Sequence, residues 1–424
     1  MFENISRGLI GIVVLLGICL LLSTNRKAIN WRLIIGGIIL QLMIAVLILK
    51  TPFAVVITWL SGAFIKLVGF TEAGSGMLFG GLLDAGKFGL GFKVLPTIIF
   101  VSALTSVLYY FGILQRIVFG FAWIMKRLMR LSGAESLAAA ANVFIGQTEA
   151  PLVVKPYIGR MTRSELMALM TGGMATIAGS VFLIYVEMVS GGDEALKLEV
   201  GRQLLTASMM NAPAALLIAK LLVPETEEID EKIEVPRDKQ GVNVLDALAN
   251  GTTEGLKLML NVGAMLLVFF AVIAMVNWGF GWVGGLGGGW LNSMIATLSG
   301  GVFETFSLQA VIGFVFAPLG WVIGGESGDI LQLGQLLGTK MVATEFVAYQ
   351  ELGEMTSSLS PKSVFLATFA LCGFANFGSI GIQLGGIGAL APERRSTLAK
   401  LGFKAMIGGT LASLLTASIA GMFF

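Results

Sequence analysis

Histidine is absent from the 424 residues, and only two cysteines and ten prolines are present. Without histidine there are no imidazole metal ligands, no Ser-His or Cys-His nucleophile pairs and no histidine proton relay. Cys19 and Cys372 lie far apart in apolar stretches, which argues against a disulfide framework or a thiolate metal site. Charge is scarce as well: Asp, Glu, Lys and Arg make up 13% of the chain, where a soluble domain carries about a quarter. With 56% apolar residues and a mean hydropathy of +0.87, the composition places the chain in a lipid bilayer. The net charge of +2 supplies no basic field, so nucleic-acid binding is set aside.

Enzyme chemistry finds little support. The six aspartates (Asp84, Asp193, Asp230, Asp238, Asp246 and Asp329) fall outside the apolar segments, so no intramembrane aspartyl pair can form. The run Gly81 to Phe88 resembles a phosphate-binding loop, but Phe88 replaces the magnesium-holding hydroxyl and no strand-like run precedes it. A channel would need a continuous polar pore, and the chain offers two separate polar foci instead.

Uncharged windows are long enough to cross about 30 Å of hydrocarbon. They cover residues 8–25, 33–49, 94–115, 166–186, 203–219, 258–278, 363–392 and 405–424, predicting an all-α polytopic protein with eight transmembrane helices. Residues 51–93, with charges at intervals, are expected to form interfacial helix and loop. Placing the Arg26–Arg32 loop in the cytoplasm puts 19 Lys and Arg inside against 9 outside, which predicts both termini outside an inner membrane.

Two stretches are too short to span. Residues 136–148 are uncharged but reach only about 20 Å as a helix, at ~1.5 Å per residue. They end in Gly146-Gln147-Thr148-Glu149-Ala150-Pro151, the polar tip expected of a re-entrant hairpin over about 135–163. Residues about 305–360, containing Thr344-Glu345-Phe346, are expected to form a second. Gly279 to Gly289 is expected to interrupt the helix over 258–303, leaving one or two crossings open there.

The two hairpins belong to a faint repeat. Thr148-Glu149 matches Thr344-Glu345, and Gly173-Met174-Ala175-Thr176 matches Gly373-Phe374-Ala375-Asn376. Each of the latter then reaches a Gly-Ser pair. On the topology above the two units enter from opposite faces. Inverted repeats with broken helices are the sequence pointer to a secondary transporter. The expected organisation is thus 1–93, two helices plus an interfacial segment; 94–223, the first repeat; 224–257, an acidic cytoplasmic linker; and 258–424, the second repeat.

Ionisable residues at membrane depth are costly, so Glu149 and Glu345 are expected to serve a polar solute, the alternative being ion pairs with Lys155 or Lys340. Carboxylates accept hydrogen bonds from hydroxyls, and the amides of Gln147 and Asn376 both donate and accept. That set suits a neutral polyhydroxyl or heterocyclic solute and would repel an anion. Thr176 and Asn376, in the broken segments, either hold a hard cation or cap and pack the helices. Val181 and Phe374 lie near enough in sequence to wall such a site with apolar surface.

The runs Ala141–Leu152, Gly172–Gly179, Val342–Tyr349 and Cys372–Ile380 resemble those of concentrative nucleoside transporters over nearly the whole chain. The resemblance implies a homotrimer whose protomers carry eight helices, two re-entrant hairpins and a moving transport domain, with no cofactor beyond a coupling ion. It assigns Gln147, Thr148 and Glu149 to the base of a nucleoside such as uridine. Glu345, Asn376 and Ser379 go to the ribose, and Val181 and Phe374 to apolar contact with the base. Sodium would be held by the Asn142 side chain, the Ile145 and Ile177 carbonyls and the Thr176 hydroxyl. Three positions depart from the family pattern: Thr176 stands for Ser, Thr344 for Asn and Gly378 for Ser. Some family members couple to protons, but neither Asn142 nor Thr176 can carry one, which favours sodium.

Overall fold

The computed structural model describes residues 2–80, 95–229 and 241–424. Helices α1 (Phe2–Leu22), α2 (Trp31–Lys50), α3 (Ala54–Gly69) and α4 (Thr71–Phe79) form the N-terminal part. The loop-like motif at 81–88, and residues 230–240 of the acidic linker, lie outside the described residues. Together α3 and α4 have the length and apolarity of a span, because only Lys66 and Glu72 interrupt them. The intermittent charges of 51–93 pointed instead to an interfacial segment.

The first repeat begins with α5 (Leu95–Tyr110), which bends by 78° into α6 (Ile113–Met129). Leu114, Val118, Ala122, Met125 and Met129 line one buried face of α6 at helical spacing, while Trp123 on the other side is exposed. Such a helix suits the membrane interface. A Ser132/Glu135 capping box starts α7 (Gly133–Asn142), and the chain turns back through 143–149 into the single-turn helices α8 (Ala150–Val153) and α9 (Lys155–Ile158). A second capping box, Thr162/Glu165, starts α10 (Arg163–Ala175). After a break at 176–178 come α11 (Gly179–Ser190) and α12 (Glu194–Leu222).

The order then recurs. Helix α13 (Val244–Leu298) is followed by α14 (Leu308–Val322), by the folded-back pair α15 (Ile330–Val342) and α16 (Glu345–Met355), by α17 (Pro361–Leu371) and α18 (Phe377–Leu390), and by α19 (Arg395–Gly421). The starts of α10 and α17, Arg163 and Pro361, are 198 residues apart, and so are the starts of α11 and α18, Gly179 and Phe377. Between the two units the chain crosses in α5, in α10–α11 and in α12. Three crossings is odd, so the second unit enters from the opposite face.

Two details differ from expectation. The second hairpin is confined to 330–355, with its tip at Ala343-Thr344; α14 is a separate helix standing where α6 stands in the first unit. Helix α13 runs through Gly279 to Gly285 and loses helical geometry only at Leu286–Gly289. Membrane helices tolerate glycine that would weaken a helix in water, so a break needs the consecutive left-handed residues Gly287 to Gly289.

Seven helices among the described residues are long and apolar enough to span, or eight if α5 and α6 count as one bent span. The expected span at 363–392 is missing from that number because five non-helical residues, 372–376, separate its halves, against three between α10 and α11. Helices α10, α12 and α19 are buried on nearly every side and form the centre of the molecule. Helix α13 instead packs chiefly on α5 and exposes Leu260, Leu267, Met275, Trp278 and Trp282.

The two broken helices meet at Gly373. With φ +135°, it brings its backbone so close to α10 that an added Cβ would stand 2.5 Å from the Ala175 carbonyl oxygen. We expect Gly373→Ala to cost at least about 1–3 kcal/mol, from backbone conformation alone. Gly381→Ala, with open space around it, should be neutral or stabilising. Thermal melts of the two purified variants check this, and equal shifts would contradict the close crossing.

Candidate functional site

The breaks leave backbone groups outside any helical ladder, and buried groups of that kind require partners. Asn211, fully buried on α12, supplies them: its Nδ2 donates to the Ala175 carbonyl at 2.7 Å and to the Cys372 carbonyl at 2.9 Å. One amide therefore binds the ends of both broken helices together. Gly179 N–H donates to the Phe144 carbonyl at 3.2 Å, which seats the first tip on the first break.

Above this crossing lies a cavity of about 410 Å³. The first tip contributes Gln147, Thr148 and Glu149, α11 contributes Ser180, Val181 and Tyr185, and the second hairpin contributes Thr344, Glu345 and Phe346. Phe374, Asn376, Ser379 and Ile382 come from the second break and α18, and Leu258, Asn261 and Val262 from α13. All eight residues expected at a solute site thus face one chamber. Residues 232 positions apart are joined directly, since Gln147 Nε2 donates to Ser379 Oγ at 3.0 Å.

Each polar group is held in place. Glu345 starts α16, where Thr344 caps the helix, and its carboxylate accepts from Tyr185 OH and from Asn376 Nδ2, both at 2.9 Å. Asn376 also caps α18 by accepting from Ser379 N–H at 2.9 Å. Glu149 accepts from its own tip, at Gly146 N–H, at 2.9 Å. Gln383 Nε2 donates to Gln147 Oε1 at 3.1 Å and to the Met170 carbonyl at 3.0 Å. Gly173 leaves room for that pair, because a Cβ there would lie 2.8 Å from Gln383 Nε2.

Among the described residues neither Glu149 nor Glu345 forms an ion pair with Lys155 or Lys340. Lys340 donates to the Ala370 carbonyl and to Ser413, and Lys155 is exposed. Sequence reasoning missed Tyr185, Asn211, Gln383 and Asn261. Tyr185, one of five tyrosines, stands in α11 shortly after the break, and Asn211 lies two residues before Pro213 inside an apolar helix. Such intramembrane polar positions were the available signal.

The oxygen set around the first tip fits a hard monovalent cation. Asn142 is 1% exposed, and neither polar atom of its side chain has a hydrogen-bond partner among the described residues. Its amide lies against Gly172 on α10. The carbonyls of Ile145 and Ile177 belong to the non-helical stretches that the Gly179–Phe144 bond brings together. Thr176 Oγ1 donates to the Gly172 carbonyl at 3.0 Å, so its lone pairs remain for an ion. Hard cations prefer such oxygen ligands.

Three family models match the chain: Na+ dependent nucleoside transporter N-terminus at residues 10–82, nucleoside recognition at 91–191, and Na+ dependent nucleoside transporter C-terminus at 203–421. The chain is 42% identical to an uncharacterized transporter of Haemophilus influenzae, across 99% of this chain and 98% of that protein. It is 37% identical to sodium/nucleoside cotransporter 1 of Rattus norvegicus, across 96% of this chain and 63% of that longer protein. Its structure resembles CNTnw in an inward-facing substrate-bound state, with TM-score 0.87 and 41% identity over 98% of each chain. A CNTnw variant in an outward-facing state gives TM-score 0.89 and 40% identity, over 99% of this chain and 98% of that one.

Replacing Asn211 with the similarly shaped Leu would leave the Ala175 and Cys372 carbonyls without their donor. The expected loss of stability is about 2–6 kcal/mol, at ~1–3 kcal/mol for each of the two unsatisfied carbonyls. A melting temperature within one degree of wild type would show that the two breaks are held by other means.

Proposed function

We propose, from the premise that the chain belongs to the concentrative, Na+-dependent nucleoside transporter family, that it is a sodium-coupled symporter importing nucleosides across the cytoplasmic membrane by alternating access. As a member it is a secondary active transporter and not an enzyme. The observation that carries the proposal is the single chamber in which both tips and both broken helices present hydrogen-bonding groups.

In this reading the nucleobase meets Gln147, Thr148 and Glu149, with Val181 and Phe374 against its faces, and the ribose hydroxyls meet Glu345, Asn376 and Ser379. Uridine is the natural test solute. Tyr185 fixes the Glu345 carboxylate, so the acceptor is oriented before solute arrives. Sodium is carried at Asn142, Ile145, Thr176 and Ile177, on the other side of the same tip. A cation there orders the tip that contacts the base. Nucleoside and sodium should then raise one another's affinity by the same factor. One sodium moving down ~100 mV adds about 2.3 kcal/mol, roughly a fiftyfold concentration ratio.

The proposed organisation keeps 94–223 as the first repeat and both termini outside, but the second repeat starts with α13 at Val244, so the cytoplasmic linker shortens from 224–257 to 224–243. A homotrimer is supported by the long apolar face of α13, which the rest of the protomer leaves uncovered.

In proteoliposomes, replacing sodium by choline at constant pH should abolish uridine accumulation, and uptake that followed a proton gradient instead would move the coupling to protons. Glu345→Gln removes the charge of the ribose acceptor while keeping its shape. Uptake should fall by at least about tenfold, corresponding to ~1.4 kcal/mol, with the melting temperature retained. Near-wild-type uptake would refute the assigned role.

A further inference from the structure

The repeat permits a comparison of what each unit places behind its tip. In the first unit Asn142 ends α7, and its amide sits beside Gly172 in the last turn of α10. The residue 198 positions on, the spacing between the starts of the broken helices and midway between the 196 of the tips and the 200 of Gly173 and Gly373, is Lys340, in the last turn of α15. The same spacing carries Gly172 to Ala370, in the last turn of α17. There Lys340 is fully buried, and its Nζ donates to the Ala370 carbonyl at 2.9 Å and to Ser413 Oγ on α19 at 2.9 Å. Helix α12, the counterpart of α19, also offers a hydroxyl to its hairpin, Ser208 to the Val143 carbonyl at 3.0 Å.

We propose that the Lys340 ammonium is a tethered cation occupying the second repeat's counterpart of the sodium position, so that only the first tip requires an ion. This rests on the sodium reading given above. Its physical basis is the negative end of α17. That helix stops at Leu371, inside the protein, and leaves carbonyls pointing toward the hairpin. A positive group placed there satisfies them and neutralises the helix end. In the first unit the same requirement at α10 falls to a bound ion, because Asn142 supplies oxygen but no charge. The solute reaches Glu345 through a tip that Lys340 keeps ordered at all times, whereas Gln147 to Glu149 are ordered only when sodium is bound. Sodium dependence is thereby confined to one side of the nucleoside, and one sodium accompanies each solute.

Lys340→Asn converts the second position into a copy of the first, and Lys340→Met removes the charge without supplying oxygen. Melting temperatures of the detergent-solubilised proteins are measured in choline chloride and in sodium chloride. Lys340→Asn should melt several degrees below wild type in choline and recover at least half of that loss in sodium. Lys340→Met should show no recovery beyond the sodium response of wild type. Equal loss for Lys340→Asn in both salts, or no loss in either, would overturn the proposal. If Lys340→Asn does not fold, the ratio of sodium to uridine taken up by wild type decides: one to one is expected, and two to one overturns it. Wild-type uptake indifferent to sodium would instead remove the sodium reading itself.

Discussion

The structure depends on how unwound backbone is accommodated inside a membrane protein. Two helices stop partway across and restart, and each interruption exposes carbonyls and amides that lipid cannot satisfy. The protein answers by crossing the interruptions against each other. Gly373 permits the approach, and a single Asn211 amide donates to both segments. Because the breaks are thus fixed at one point, the side chains just beyond them, Val181 on one and Asn376 and Ser379 on the other, converge on the same space.

The two tips complete that space from opposite faces, and they are not equal. The second tip is two residues long, and its carboxylate is gripped from two sides by Tyr185 and Asn376. The first tip runs over seven residues, and among the described residues Glu149 accepts from the tip's own Gly146 amide alone. A short tip braced by a buried lysine and a long tip backed by Asn142, whose side chain has no hydrogen-bond partner among the described residues, are different solutions to one problem. The asymmetry leaves the Glu345 side of the chamber more firmly braced than the Glu149 side.

Packing follows the same division. Helices α10, α12 and α19, which carry or support the breaks, are buried over most of their length, while α13 packs on α5, meets the chamber along one edge at Leu258, Asn261 and Val262 and presents apolar surface outward on its other side. Part of the chamber wall thus comes from a helix at the periphery of the protomer. Membership in a family of alternating-access transporters gives that arrangement its use.

Much was legible in the chain itself. Hydropathy is local, so the membrane setting and most spans could be read directly, and the carboxylates at 149 and 345 stood out because charge in lipid needs a reason. The repeat was legible because Thr-Glu and Gly-Ser pairs recur at nearly constant spacing. What sequence could not supply was anything that depends on distance between remote segments. Asn211 and Tyr185 are single polar residues in apolar helices, and only folding shows that one faces two breaks and the other faces Glu345. The extent of α13 and the narrow second hairpin were likewise decided by packing, since glycine weakens an isolated helix but not one supported in a membrane. Composition thus determined where this protein resides and what kind of groups it brings into lipid. Tertiary structure alone decided which of them share a chamber, because hydrogen bonds between residues two hundred positions apart leave no trace in local pattern.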